Sequence, residues 1–185
     1  MPSFKKFGVL LAVFALSAIG AGSASAAQFT ASATGNLTGK ATATQVFTFN
    51  GGQVKCSNAH TTGTIKSVAT AEQTVEVKYS ACTGFGFIVA PFTAQYNFTA
   101  NGEVHIENTI TIIPQGAGCT ITIAPQPVGK VGYSTSGTKL ILIPNVSGIV
   151  YTSTKGLCGS SGGNGTYTGT NEWERIGGGS LTFDP

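Results

Sequence analysis

Apolar and polar residues alternate along most of the chain, most clearly in the stretch 95–113. Two alternating runs there flank an Asn-Gly dipeptide, which is typical of β-hairpin turns. A three-residue loop, 100–102, sets Phe98 opposite Val104 and keeps apolar side chains on one face, whereas a two-residue loop would mix the faces. The pattern therefore predicts a hairpin with a G1 bulge and with Gly102 in the left-handed region, where glycine has no steric penalty.

Similar short alternating runs recur along the chain, separated by turn residues, and none shows a sustained helical period. In a second hairpin, with Gly51-Gly52 as the loop, Phe49 would face Val54 and Cys56 would point to the core. About ten to twelve short strands at this spacing predict an all-β fold. We expect an antiparallel β-sandwich that forms a single domain.

The N-terminal residues form a predicted targeting segment. Lys5 and Lys6 precede the apolar run 9–19, and the small residues 24–26 are typical of a signal peptidase site. The apolar run is too short to span a bilayer, so we expect no stable membrane anchor. The pattern predicts a signal peptide over residues 1–26, with cleavage near Ala26-Ala27 and a secreted, extracellular product.

The mature chain divides into a predicted β-sandwich domain, residues 27–174, and a Gly-rich C-terminal tail, residues 175–185. Loss of Lys5 and Lys6 with the signal peptide leaves eight basic residues against seven acidic ones. A nearly neutral chain lacks the electrostatic footprint that nucleic acids or anionic lipids require. Nucleic acid is therefore not an expected partner.

All four cysteines lie in the mature chain. Export to an oxidising compartment favours two disulfides, and four cysteines allow three connectivities. We favour the sequential pairing, Cys56 with Cys82 and Cys119 with Cys158, which closes two separate loops.

The polar face of the first hairpin carries a cluster of titratable residues, Glu103, His105 and Glu107. On a strand they project from one face about 7 Å apart, too far for three ligands to converge easily on one metal ion. A metal-dependent hydrolase at this cluster is a remote alternative, and a solvated strand face is the favoured interpretation. We predict no catalytic residues, no cofactor and no metal site.

Two other motifs match functional patterns only formally. Cys56 and His60 have a ligand-like spacing, but a disulfide explains Cys56 better in an exported chain. The segment 159–163 fits G-x-S-x-G, yet it lacks the preceding strand and following helix of a nucleophile elbow, so we interpret it as a linker loop.

Three aromatic residues are candidates for ligand binding: Trp173, Phe85 and Phe87. Aromatic rings in strands belong more often to the core, but exposed rings offer a stacking surface to a sugar or a protein. Trp173 is the sole tryptophan and lies near the C-terminal tail. These rings support the alternative of a carbohydrate- or cell-envelope-binding module, whose partner would be an envelope polysaccharide or protein.

Five segments resemble a family of uncharacterised secreted proteins from actinobacteria. They are VKC at 54–56, YSACT at 79–83, CTITIAPQ at 119–126, NVSGIVYT at 145–152 and YTG at 167–169. The resemblance implies an exported protein of a Gram-positive bacterium, and it brings no activity. The sequence therefore predicts a non-enzymatic extracellular protein with a structural or binding role and an unknown ligand.

Overall fold

A computed structural model describes residues 26–154 and 156–185, and this part of the chain is almost wholly β-structure. The strands are β1 (Gln28–Ala31), β2 (Gly35–Phe49), β3 (Gly52–Ile65), β4 (Ala69–Thr70), β5 (Glu72–Gly84), β6 (Phe87–Val89), β7 (Phe92–Thr99), β8 (Glu103–Ile106), β9 (Ile110–Ile112), β10 (Ile121–Ile123), β11 (Gln126–Ser136), β12 (Lys139–Ser153), β13 (Gly162–Arg175) and β14 (Leu181–Asp184). Within the described ranges, a single 3₁₀ turn, Gly156–Cys158, interrupts the strands. The all-β, single-domain prediction is confirmed. The predicted signal peptide lies outside the described residues except for Ala26.

Eight strands form a closed ring, in the order β2-β3-β5-β7-β8-β11-β12-β13, and β13 pairs back with β2. All neighbours in the ring are antiparallel. The hydrogen bonding thus describes a barrel with extra strands rather than the expected sandwich. Alternating apolar and polar residues occur in sandwiches and in barrels alike, so this pattern does not distinguish them. Closure of the ring leaves no unpaired edge between its first and last strands.

Several strands are longer than the short strands that the sequence predicted. β2 and β12 each have 15 residues. Pro144 lies within β12, opposite Val131, and does not divide the strand. Gly39 also lies within β2, opposite the bulky side chain of Trp173 on the neighbouring strand.

The hairpin formed by β7 and β8 has the predicted register. Phe98 is opposite Val104, and Gly102 has a φ of +91°. The N–H of Gly102 donates to the carbonyl of Thr99 at 3.0 Å, which closes the turn. Phe98 and Val104 are both buried, so the apolar face of the hairpin points into the barrel.

The hairpin formed by β2 and β3 has a register two residues away from the predicted one. Phe49 pairs with Gly52 and Phe47 pairs with Val54, so Asn50-Gly51 is the loop. A shift of two residues leaves every side chain on its original face, which is why the apolar pattern did not distinguish the two registers. Cys56 still points to the core, as predicted.

Both predicted disulfides are present. Cys56 and Cys82 face each other across β3 and β5, with their Cα atoms 4.0 Å apart. Cys119 and Cys158 are bonded with a Cα separation of 5.9 Å, and they join the segment before β10 to the 3₁₀ turn. The first bridge fastens two barrel strands, and the second fastens two connections outside the ring.

The two ends of the barrel are covered by different elements. A small sheet with the order β14-β1-β4 lies at the end where β2 begins. The predicted Gly-rich tail contributes β14 to this sheet, and Phe29 packs edge-on against Tyr133 with ring centres 5.0 Å apart. At the other end, the β9–β10 hairpin buries four isoleucines: Ile110, Ile112, Ile121 and Ile123.

Candidate functional site

The residues Glu103, His105 and Glu107 lie on the outside of the barrel. Glu103 and Glu107 are exposed, and His105 is half-buried opposite Asn97. Within residues 26–154 and 156–185, no three His, Cys, Asp or Glu side chains converge as a metal-binding group. The predicted polar face of the hairpin is confirmed, and the hypothesis of a metal-dependent hydrolase has no converging ligand set in this region.

The residues of the other two formal motifs form structural contacts or lie on the surface. Cys56 is held in its disulfide, and His60 is exposed on the outer face of β3. In the segment 159–163, the hydroxyl of Ser161 accepts a hydrogen bond from the N–H of Ser153 at 2.8 Å. This serine fastens the connection between β12 and β13.

Trp173 is a core residue. Only 1% of its surface is exposed, and its ring meets that of Phe98 edge-on at 5.1 Å between centres. It follows Asn171 by two positions on β13, so both side chains point into the barrel. Trp173 therefore offers no stacking face to a ligand in the solvent, which the alternative of a carbohydrate-binding module at this ring would need.

Phe85 and Phe87 lie at the turn between β5 and β6, and both are half-buried. Gly84 pairs with Phe87 across the turn, and Phe85 and Gly86 both have positive φ values, +56° and +86°. A turn of this kind matches the twist of the flanking strands. Its first position normally takes Asn, Asp or Gly, because most other residues lose about 1–2 kcal/mol when their backbone adopts a positive φ.

These two rings border a shallow depression of about 510 Å³ on the surface. Gln53, Lys55 and Thr83, whose side chains carry an amide, an ammonium and a hydroxyl group, also line the depression. Ile88 lies at its edge with 67% of its surface exposed. The site thus combines flat apolar rings with hydrogen-bond donors and acceptors on a surface open to large ligands. We call it the Phe85 depression.

A second polar cluster lies inside the barrel, and the sequence analysis did not find it. The hydroxyls of Tyr79 and Tyr96 are 3.1 Å apart, and Tyr79 donates to Tyr167 at 3.3 Å. Tyr167 in turn donates to the amide oxygen of Gln45. Because Tyr79 uses its single proton toward Tyr167, Tyr96 must be the donor to Tyr79. The three tyrosines therefore form a chain of hydrogen bonds that ends on Gln45.

The amide of Gln45 is fully bonded at the end of this chain. Its nitrogen donates to the carbonyls of Ala43 at 2.7 Å and Thr170 at 3.1 Å. Its oxygen also accepts from Asn171 at 3.3 Å. A Cβ on Gly169 would collide with the Gln45 side chain, so the glycine provides the space that this buried amide needs.

Burial dominates the electrostatics of the tyrosine cluster. It raises the pKa of Tyr167 to about 12, and it raises the pKa values of Tyr79 and Tyr96 further above their usual range. The neighbouring hydroxyls of Tyr167 and Tyr96 raise the pKa of Tyr79 further. These groups stay neutral at physiological pH, so the cluster acts as a hydrogen-bonded core rather than as a source of charge. In the sequence, the hint of this cluster is that Gln45 alternates with Phe47 and Phe49, which places the Gln45 amide on the same inward face of the strand as the two aromatic rings.

No family model, no curated protein and no solved structure matches this chain. Among the described residues, no helix is both long enough and apolar enough to cross a membrane. The fold defines a class, an all-β domain built on a closed eight-stranded ring and cross-linked by two disulfides.

Proposed function

We propose that this chain is an exported, non-enzymatic extracellular protein that binds a ligand through the Phe85 depression. Export is supported by the signal-like N-terminal sequence and by two disulfides, which persist in oxidising compartments. The resemblance of five sequence segments to secreted actinobacterial proteins points the same way. The titratable side chains of the β7–β8 hairpin contribute to a solvated face, so the proposed role is binding rather than catalysis.

The observation that carries the binding proposal is the backbone of Phe85. A phenylalanine with a φ of +56° is strained, and such strain tends to be retained at functional sites, where the surrounding structure holds it in place. Asn or Gly would relax the turn, but neither would offer a ring at the border of the depression. We infer that the ring itself is needed there for contact with a ligand.

The chemistry of the depression favours a carbohydrate of the cell envelope. A sugar ring has apolar C–H faces, which stack on aromatic rings, and hydroxyl groups at its edge. The Gln53 amide, the Lys55 ammonium and the Thr83 hydroxyl supply hydrogen-bonding partners for those hydroxyls. A shallow and open site suits a polymer better than a small free molecule, which proteins generally bind in deep pockets.

A retention experiment tests this proposal. The mature chain would be mixed with purified Gram-positive cell wall, chitin or cellulose, and the bound fraction would be measured by sedimentation. Phe85→Asn should keep the turn, because Asn tolerates positive φ, and it should weaken retention on the preferred polymer about tenfold. Ile143→Thr is the matched control, since Ile143 is an exposed apolar residue with 49% of its surface accessible on β12.

Each outcome of this experiment decides between roles. Weaker retention of Phe85→Asn with normal retention of Ile143→Thr would support the proposed site. Equal retention of all three proteins would place binding elsewhere and remove the proposed role of the depression. Retention on none of the polymers would refute the hypothesis of a carbohydrate ligand and would favour a structural role for the exported protein.

A further inference from the structure

Three buried polar atoms inside the barrel have no hydrogen-bond partner among the described residues: Trp173 Nε1, Thr61 Oγ1 and Asn171 Oδ1. The exposed fractions of their residues are 1%, 0% and 8%. All three residues line the same interior cavity, whose volume is about 30 Å³. Buried polar groups without partners are rare in native proteins, because each loses its hydrogen bonds to water without replacement.

The strand register explains why these atoms lie close together. Gly39 on β2 is opposite Trp173 on one side and opposite Thr61 on the other, so the three residues form one row across the sheet. A Cβ on Gly39 would lie 2.9 Å from Trp173 Nε1, which places the indole N–H above the glycine. Asn171 precedes Trp173 by two positions and shares its face. The missing Cβ of Gly39 therefore lets the indole N–H lie over this row, on the inner face that also carries the two acceptors.

The distances across this row suit a bridging molecule. Directly opposed Cβ positions on neighbouring strands are roughly 5 Å apart, and the indole nitrogen above Gly39 and the Thr61 hydroxyl form no direct hydrogen bond with each other. One water molecule spans such a gap with two hydrogen bonds. A cavity of about 30 Å³ has room for about two water molecules and not for a larger ligand.

We propose that the barrel interior is a specific binding site for water, in which one molecule bridges Trp173 Nε1, Thr61 Oγ1 and Asn171 Oδ1. The water accepts from the indole N–H and donates to the amide oxygen of Asn171 and the hydroxyl oxygen of Thr61. This arrangement uses both protons and one lone pair of the water, and it gives each of the three protein atoms a hydrogen-bond partner. The site fixes the orientation of Trp173 and is independent of ligand binding at the Phe85 depression.

A crystal structure of the mature chain at atomic resolution tests the assignment directly. We expect a peak of electron density within hydrogen-bonding distance of Trp173 Nε1 and of at least one of the other two atoms. A dry site, or density that fits a molecule larger than water, would overturn the proposal. A rotation of the Asn171 or Thr61 side chain that pairs these atoms with other protein groups would overturn it too.

Nuclear magnetic resonance provides a second test in solution, because the chain has a single tryptophan and therefore a single indole N–H signal. We expect a magnetisation-transfer peak between this proton and water, of the sign that marks a bound molecule. Thr61→Val, which is nearly isosteric, should reduce the peak at least about twofold because one of the three partners of the water is lost. Thr62→Val is the control, since Thr62 is exposed on the other face of β3.

The two tests are read together. A transfer peak without density for water would overturn the proposal, because the exchangeable proton of Thr61 would then account for the signal. An equal reduction in Thr61→Val and Thr62→Val would also contradict it, since the effect would not come from the interior. Density for a bridging water together with a selective effect of Thr61→Val would support it.

Discussion

Trp173 on β13 packs directly against Gly39 on β2. The two residues are opposite each other in the sheet, and a Cβ at position 39 would collide with Cδ1 of the indole ring. The bare backbone of the glycine lets the largest side chain in the barrel lie flat across the neighbouring strand. An aromatic residue that covers a glycine in this way stabilises the sheet at a position where glycine alone would weaken it.

Gly39→Ala should therefore destabilise the protein, although alanine is usually the better residue within a strand. The added methyl group would force Trp173 out of its position in a closed core, which typically costs about 1–3 kcal/mol in the free energy of unfolding. Urea denaturation monitored by the fluorescence of Trp173 measures this loss. Gly132→Ala is the control, because a Cβ there would be 3.8 Å from its nearest neighbour. A similar stability of both variants would contradict the packing described here.

Removal of either disulfide should lower stability by a similar amount. The bridges close loops with sequence separations of 26 and 39 residues. In the chain-entropy description, loops of this size each contribute about 3–4 kcal/mol. The double variant Cys56→Ala with Cys82→Ala tests the first bridge, and Cys119→Ala with Cys158→Ala tests the second. Alanine is chosen because all four positions are buried. A loss well below that range in either variant would show that the unfolded chain is already restricted without that bridge.

The buried tyrosine cluster predicts a loss of stability at alkaline pH. Burial raises the pKa of Tyr167 from its ordinary value of 10.0 to about 12 in the folded state. Because the folded protein holds this proton more tightly than the unfolded chain, full stability is present below pH 10 and decreases as pH rises from 10 through 12. The shift at Tyr167 alone corresponds to about 2–3 kcal/mol.

Ultraviolet absorbance of tyrosinate and circular dichroism, recorded over the same alkaline titration, check this prediction. We expect Tyr79, Tyr96 and Tyr167 to ionise together with unfolding rather than before it. Tyr167→Phe, which removes one titrating group, should make stability less dependent on pH in this window. Ionisation of all five tyrosines while the fold remains intact would contradict the buried cluster.

Local sequence patterns determined much of this fold. The register of the β7–β8 hairpin followed from the rule that Phe98 and Val104 must share an apolar face. The same rule placed Cys56 in the core, and the choice of the sequential connectivity predicted its bond with Cys82. These features depend on neighbours within a hairpin or on a choice among few alternatives, which is why the sequence predicts them.

Other features depend on partners that are distant in the sequence. The pairing of β13 with β2 closes the barrel, and it joins residues such as Trp173 and Gly39 that are more than 130 positions apart. No local pattern specifies that contact, so the sequence did not distinguish a barrel from a sandwich. The burial of Trp173 and the water site that we propose depend on the same distant pairing. In contrast, the turn that carries Phe85 and Phe87 joins two consecutive strands, so it depends on local residues.

Gly102 provides a final test of the predicted hairpin. Its φ of +91° is unfavourable for any side chain, and a Cβ there would lie 3.0 Å from the carbonyl oxygen of Val131. The N–H of Val131 also donates to the carbonyl of Gly102 at 2.8 Å, so the turn is fastened to β11. Gly102→Ala should lower the free energy of unfolding by about 2–3 kcal/mol, from backbone strain and the close contact together.

Gly137→Ala is the matched control: its φ is +62°, but a Cβ would meet nothing within 4 Å. It should therefore lose only about 1–2 kcal/mol in the same urea titration. An equal loss in both variants would remove the role of the contact with Val131, and no loss in Gly102→Ala would refute the left-handed turn.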